Sequence, residues 1–498
     1  MKSTKNFSYK WNQFWLKVKK GWVNFWSTRD ITKKFLYTLL LLTIYLIATV
    51  VKAPFVQIAK SEVLNNDTFF NTLNLVGGGG LKNFSLMALG ISPFINASLI
   101  MSLLQTRAFP AVQKLGQSGP EGRRKLNVIT RILTLLISYP QAILLTKSLN
   151  AGGSQRFISI YTTAGLNSNV IVYFFLPMIL IGGSLFALFL AEQITDKGIG
   201  NGTSLIIFVG IAFQLPNQFK GAYSYFVSDS AKFIGALKLL TYCFVYLLLI
   251  FVIALIYNAE RHIPIQQIGA GRSKNIQEMG KLPIKLNPGG IMPIIFAVMV
   301  VSFPLMIARI LPESNNAKYW MEHNLQFTDP IGLSSLIVIT FFFSILMGIQ
   351  QSRVDRIAED FAKSSTFIPG IKPGEETEDY LVGIVIRLSI FSGFYLVILA
   401  SFQYFMILAI KLPAYISFGG TGMMILVTVS LETIQQFLAR RKSVKLSKQK
   451  QISRIVLEEQ MEQHRKSKEI DPIFGIAIDD NSNVDKKKRK NNEDGLLW

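Results

Sequence analysis

Charge is what this sequence has least of. Asp, Glu, Lys and Arg make up 16% of its 498 residues while 50% are hydrophobic, and an ordinary soluble domain carries about 25% charge. One cysteine, Cys243, excludes any disulfide within the chain and reads as a buried structural thiol. The three histidines, His262, His323 and His464, are scattered without metal-ligand spacing. There is no Gly-x-x-x-x-Gly-Lys-Ser/Thr loop and no His-Glu-x-x-His pair, so nucleotide hydrolysis and metalloprotease chemistry are not expected of this chain.

The apolar residues are gathered into long uncharged runs, which defines an all-α polytopic membrane protein. Ten runs are read as spans: 35–51, 84–104, 132–145, 170–191, 204–215, 239–257, 291–307, 331–349, 388–410 and 420–429. The fifth is short: about twelve residues rise about 18 Å, below the ~30 Å hydrocarbon core, so it must extend into its flanks or line something wet. Ionisable side chains are nearly absent from the runs, with Glu192 and Glu432 only at their ends. That counts against an ion-coupled secondary transporter, which needs such groups at membrane depth. A non-catalytic assembly or anchoring protein stays open.

What charge there is, a net +22, is unevenly placed. Arg107, Arg123, Arg124 and Arg131 follow the second run, Arg261, Arg272 and Lys274 the sixth, and Arg353, Arg356, Lys363 and Lys372 the eighth, while the alternate loops are poorer in basic residues. The excess of Lys and Arg in cytoplasmic loops puts both termini in the cytoplasm. Residues 1–32 alternate Trp11, Trp15, Trp22 and Trp26 with lysines, the pattern of a helix lying in the membrane interface. Residues 441–498 form a basic tail in which Gln451–Arg465 suits a helix, and its Asn-, Asp- and Lys-rich end reads as a solvated disordered segment.

Two stretches carry more than topology. Leu75–Leu104 opens on four glycines, Gly77 to Gly80, directly before a span, and Gly90-Ile91-Ser92-Pro93 then puts a helix-breaking pair at membrane depth. Ile368-Pro369-Gly370-Ile371-Lys372-Pro373-Gly374 holds two Pro-Gly steps, so Lys372 is expected at a fixed loop tip.

Four stretches, in order, carry a family resemblance. They are Phe84–Pro93, Glu192–Gly202, Ala259–Gln266 with Leu286–Phe296, and Phe367–Tyr380. Over about Lys33 to Arg440 the chain resembles SecY, the central subunit of the bacterial protein-conducting channel. The resemblance implies two inverted five-helix halves around a pore, 33–215 and 239–440, joined by an extracytoplasmic hinge loop at 216–238. It implies a plug at 69–80, including Phe69, Phe70, Leu73, Leu75, Gly77, Gly78, Gly79 and Gly80. It further implies a pore ring of Ile91, Ile95, Thr203, Ile207, Ile295 and Ile425, a lateral gate with Ser92, Asn96, Ser102, Met299 and Phe303, and docking of cytosolic partners on Arg261, Arg272, Lys274, Arg353, Arg356, Lys363 and Lys372. From spacing alone any one of these isoleucines reads equally as a lipid-facing or packing residue.

The implied function is passage of unfolded, signal-sequence-bearing polypeptides across the bacterial cytoplasmic membrane, with lateral release of apolar helices into lipid. The implied partners are a SecE-like small subunit, a SecG-like subunit, a SecA-type motor ATPase or the ribosome, and membrane lipids; no cofactor is implied. Three residues depart from the family pattern: Thr203 where an aliphatic ring member is usual, Ser102 where glutamine is frequent, and Lys372 in place of arginine. These departures suggest a divergent channel, such as the accessory Sec system of Gram-positive bacteria, dedicated to a few cell-surface proteins.

Overall fold

The computed structural model describes residues 29–58, 68–105, 109–150, 157–161, 167–228, 232–267, 280–308, 311–312, 315–414, 416–417 and 419–469. The aromatic segment expected over residues 1–28 lies outside them, as do the tail beyond Glu469 and the loop that carries Arg272 and Lys274.

Each of the ten expected runs overlaps a helix. These are α1 (Arg29–Val50), α3 (Ser92–Leu104), α5 (Gly119–Asn150), α6 (Ile171–Lys197), α7 (Gly202–Ser228), α8 (Lys232–Asn258), α9 (Met292–Ala308), α11 (Pro330–Ser352), α13 (Glu375–Ile410) and α14 (Gly420–Glu469). Shorter helices connect them: α2 (Thr68–Gly77), α4 (Pro110–Gln117), α10 (Asn316–Asn324) and α12 (Val354–Lys363). Seven of the helices are long and apolar enough to cross a membrane, while α3 and α9 are shorter apolar helices. Large apolar side chains cover the outside: Leu240, Phe244, Leu247 and Phe251 of α8 are each more than 60% exposed. A face of that kind is stable only against lipid or another apolar surface.

Two expectations about helix limits are corrected. The second span is not helical from Phe84: residues 81–91 form turns, and α3 begins at Ser92. Pro93 therefore stands in the first turn, where its missing N–H costs nothing, and thirteen residues give about 20 Å of helix. The 216–238 connection is not a loop either, because α7 continues through Pro216 to Ser228 and α8 starts at Lys232. Between Pro216 and Ser228 there is one glycine, Gly221, and no second proline, and the short fifth span gains its length from this flank.

At one end of the bundle β1 (Val56–Ile58) pairs antiparallel with β2 (Ile158–Ile160). At the other end β3 (Glu260–Gln267) is the centre of a sheet, paired with β4 (Gly280–Lys285) and β5 (Thr366–Phe367). Ile263, Val354, Ile368, Leu381 and Val385 form a small apolar core of their own beneath it, so the loops after α8 and α11 make one platform. Within the bundle α11 and α13 approach on small residues: Ser344 Oγ donates to the Ser389 carbonyl at 3.1 Å, and Gly348 faces Ser389. Most buried apolar residues elsewhere belong to one continuous cluster.

The fold divides after Phe437. From Leu438 to Glu469 the described part of the second unit is a charged helix, exposed over most of its length, that includes the stretch expected to be helical at 451–465.

Candidate functional site

Two cavities lie on either side of a buried apolar layer. The larger, about 730 Å³, is lined by Ser98, Ser102, Arg123, Asn201, Thr203 and Arg353 among others. The smaller, about 490 Å³, is lined by Leu75, Gly79, Lys82, Ile211, Gly422 and Leu426 among others. Along α7, Thr203 faces the first and Ile211 the second, with buried Ile207 between them. Eight residues of helix rise about 12 Å, so about one turn on each side of Ile207 separates the two spaces. The other elements repeat the arrangement: Met292 lines the larger cavity and Ile295 one turn on is buried, while Leu426 lines the smaller and Ile425 beside it is buried.

Ile91, Ile95, Ile207, Ile295 and Ile425 are all at most 6% exposed and share one apolar cluster. Thr203 does not join them. Its hydroxyl donates to Asn201 Oδ1 at 2.8 Å, and its N–H points to the same oxygen at 3.2 Å, so the side chain finishes the first turn of α7 on the cavity wall. A hydroxyl with a partner one turn below the layer is not a hole in it.

The segment expected as a plug lines the smaller cavity through Leu75 and Gly79. Helix α2 packs against α7 and α9. Phe70, Leu73, Gly77, Gly78 and Gly80 are buried, Leu75 and Gly79 are half-buried, and the side chain of Phe69 lies outside the described residues. The glycines serve contact as much as freedom. Gly78 has φ +92° and receives the Tyr45 hydroxyl on its carbonyl at 2.9 Å. Its backbone lies so close to Gly210 of α7 that a Cβ there would strike the Gly78 carbonyl. Gly90 likewise admits the carbonyl of Gly77. Asn74 closes the turn: its carbonyl accepts from Gly79 N–H at 2.8 Å, and its Oδ1 accepts from Leu81 and Lys82 N–H at 3.0 and 3.1 Å.

Between α3 and α9 the expected gate residues separate into two groups. Ser92 Oγ sits 3.8 Å from Met299 Sδ, and Asn96 lies one turn on from Ser92. A residue not singled out from the sequence joins them: Gln141 of α5 donates to Ser92 Oγ at 2.8 Å, and its Oε1 accepts from Asn96 at 3.4 Å. The signal for it was a lone amide inside the run 132–145, since a polar group in a span needs a partner. Ser102 bonds back to the Leu99 carbonyl of its own helix, and its own carbonyl accepts from Gln350 of α11. Phe303 is 53% exposed.

The expected docking residues also divide. Arg261 is exposed on β3, and Lys372 stands at the tip of the platform with its side chain 86% exposed and its Nζ 3.7 Å from Glu376. The tip is held by Ile371 N–H to the Ile368 carbonyl at 3.0 Å and by Thr377 Oγ1 to the Lys372 carbonyl at 2.7 Å. Arg353 and Arg356 turn instead to the larger cavity, where Arg356 donates to the Gly116 carbonyl at 2.7 Å. Lys363 is paired with Glu359 at 2.7 Å on the surface.

Comparison with known proteins places these features in one family. The family model described as SecY matches residues 85–434. The chain is 36% identical over 426 residues to the protein translocase subunit SecY of Mycoplasma capricolum subsp. capricolum, covering 83% of this chain and 88% of that protein. It is 33% identical over 417 residues to the corresponding subunit of Bacillus subtilis, covering 83% and 95%. Its fold resembles a solved structure of a protein conducting channel at 18% identity and TM-score 0.59, over 82% of this chain and 92% of that one. It also resembles Sec61 in the canine ribosome–channel complex at 19% identity and TM-score 0.56, over 82% and 92%.

Proposed function

The chain belongs to the SecY family, a multi-pass protein of the bacterial cytoplasmic membrane and a protein-conducting channel subunit, and from that premise we propose how its parts work. The observation that carries the reading is the pair of cavities parted by one buried apolar layer with α2 seated on it. Ile91, Ile95, Ile207, Ile295 and Ile425 act as the closed waist. Branched aliphatic side chains exclude water and ions there, and they pack round a moving backbone of any sequence without binding it. Thr203 belongs to the vestibule below the waist rather than to the ring. The plug, from Thr68 to Gly80, closes the far side.

A signal sequence or apolar helix enters between α3 and α9, displaces the contacts of Ser92, Asn96, Gln141 and Met299, and meets lipid there. Apolar helices leave laterally by the same seam. The platform of β3, β4 and β5 with Lys372 at its tip faces the cytoplasm with both termini. It receives a SecA-type motor ATPase or the ribosome, while a SecE-like subunit, with or without a SecG-like one, braces the two halves. Thr203 is turned to Asn201, which removes the physical reason to expect a leaky, specialised seal, so general export rather than dedicated accessory export is our reading.

The test is ion conductance of the purified chain in planar bilayers, intact and lacking Phe69–Gly80. Large persistent currents only after the deletion support a plugged pore. Equal silence with verified insertion overturns it in favour of an assembly or anchoring role.

A further inference from the structure

We infer that the plug is a lever whose foot is fixed to the amino-terminal half, and that Tyr404 is the positioning residue by which the carboxyl-terminal half holds the start of α2 shut. The inference rests on the plugged-pore reading above and adds which contacts must break.

The polar contacts of α2 and the turn after it are unequally shared. At the foot, among the described residues, every one comes from α1 or from the segment itself. Tyr45 of α1 donates to Gly78, Gly79 N–H to the Asn74 carbonyl, and the N–H groups of Leu81 and Lys82 to Asn74 Oδ1. Gly210 of α7 adds a backbone contact that no other residue type permits. Farther out, Asn83 Nδ2 donates to the Thr49 carbonyl at 3.5 Å, and Leu86 N–H to the Val51 carbonyl at 3.0 Å, tying the following turn to the end of α1. Toward the start of α2 the polar contact runs the other way. Thr72 Oγ1 lies 3.5 Å from the hydroxyl of Tyr404 on α13, and both residues are at most 2% exposed. The Tyr404 ring is in turn set by Phe327, with ring centroids 5.5 Å apart.

Halves that separate cannot both keep the plug. Several short bonds and a glycine contact oppose release at the foot, while among the described residues the carboxyl-terminal half meets α2 through the long Thr72–Tyr404 hydroxyl pair, packing on α9 and Gly422 beside Leu75. The Tyr404 contact is therefore the one that yields, and α2 swings about Gly78 while staying with α1 and α7. A hydrogen bond of ordinary strength shifts such a balance about two- to tenfold.

The experiment records spontaneous openings of the full chain in planar bilayers. Tyr404→Phe and Thr72→Val are each expected to raise the open probability about two- to tenfold with unchanged single-channel conductance. The double variant is expected to match either single one, and Thr72→Ser to behave as the original chain. Effects that simply add, or Thr72→Val behaving as the original, overturn the latch. For the foot, Thr49→Cys and Asn83→Cys in a Cys243→Ser chain are bridged by a short bismaleimide. Openings that persist after bridging support the lever, and openings abolished by it overturn the lever. A chain lacking Phe69–Gly80 run in parallel separates these outcomes from failure of the plugged-pore reading, which would leave that deletion silent.

Discussion

The hydroxyl of Tyr45 donates to the carbonyl of Gly78 at 2.9 Å, and neither residue is open to solvent. This bond joins the first long helix to the end of the plug, where Gly78 also lies against Gly210. Tyr45→Phe leaves a buried carbonyl without its donor, at a cost of about 1–3 kcal/mol. Gly210→Ala is the harsher change, because its methyl group and the Gly78 carbonyl need the same space. Both variants are expected to leak ions in planar bilayers, Gly210→Ala more strongly. A Gly210→Ala chain that inserts normally and stays silent would show that α2 does not seat against α7 in the membrane.

Thr203 and Ile207 stand one turn apart on α7, and only Ile207 is in the apolar layer. Thr203→Ile is therefore expected to leave ion leak unchanged, since the hydroxyl it removes is occupied by Asn201 outside the layer. Ile207→Asn puts an amide into the layer and is expected to raise leak. Conductance of the plug-deleted chain is the sensitive background for both, because the layer then seals alone. The reverse ranking would return Thr203 to the ring.

How far such assignments can be read from a sequence depends on whether they need a neighbour. The apolar runs show where helices lie because each run reports its own burial. The Pro-Gly steps around Lys372 likewise place it on a held tip. The glycines of the plug are different: their use depends on Gly90 and Gly210, which are distant in sequence, and a run of glycines suggests freedom before it suggests contact. Thr203 was placed in the ring by family position, which does not say where a side chain turns, and Asn201 two residues earlier decides that. Gln141 was missed because one amide beside Pro140 has no periodicity, although as a polar group in a span it called for a partner. Phe303 is assigned to the gate by rough register alone, and it is 53% exposed on α9.

Gln141 holds Ser92 and Asn96 together at the start of α3. Gln141→Ala removes both bonds at once and leaves two polar side chains at a buried seam, a loss of about 1–3 kcal/mol. The closed seam is expected to loosen, so that polypeptides with weakly apolar signal sequences are translocated more readily. Translocation into vesicles, scored for a strong and a weakened signal, checks this. Equal improvement for both signals would place the effect outside signal recognition.

Lys82 lies between α2 and α3, outside the spanning helices, in the wall of the smaller cavity. Burial lowers its pKa below the ordinary lysine value. A base whose pKa is lowered in the closed form opposes closure while charged. The penalty is complete below the lowered value and fades as pH rises through it towards the ordinary one. Lys220 lines the same cavity and, among the described residues, no carboxylate does. Spontaneous openings are expected to become rarer as pH rises towards the ordinary lysine value of about 10.4, and Lys82→Met to be less frequently open with that dependence flattened. An unchanged pH profile in Lys82→Met would assign the dependence to another group.

Lys372 combines a fixed backbone with an exposed side chain, which suits recognition by a partner. Gly370 and Gly374 bracket it at φ +87° and +111°, conformations other residues resist, and the Thr377 hydroxyl holds its carbonyl. Its pairing with Glu376 is an exposed contact at 3.7 Å, which contributes little to stability. Lys372→Glu is therefore expected to leave the platform folded, with unchanged thermal unfolding and proteolysis, while binding of a motor ATPase or ribosomes falls tenfold or more. Ile263→Asn should do the opposite in kind, since it puts an amide into the apolar core beneath the sheet and loosens the platform itself. The two variants separate recognition from support: lost binding with an intact platform assigns the docking charge to Lys372. Undiminished binding by Lys372→Glu shifts that role to Arg261, which the same sheet presents to solvent.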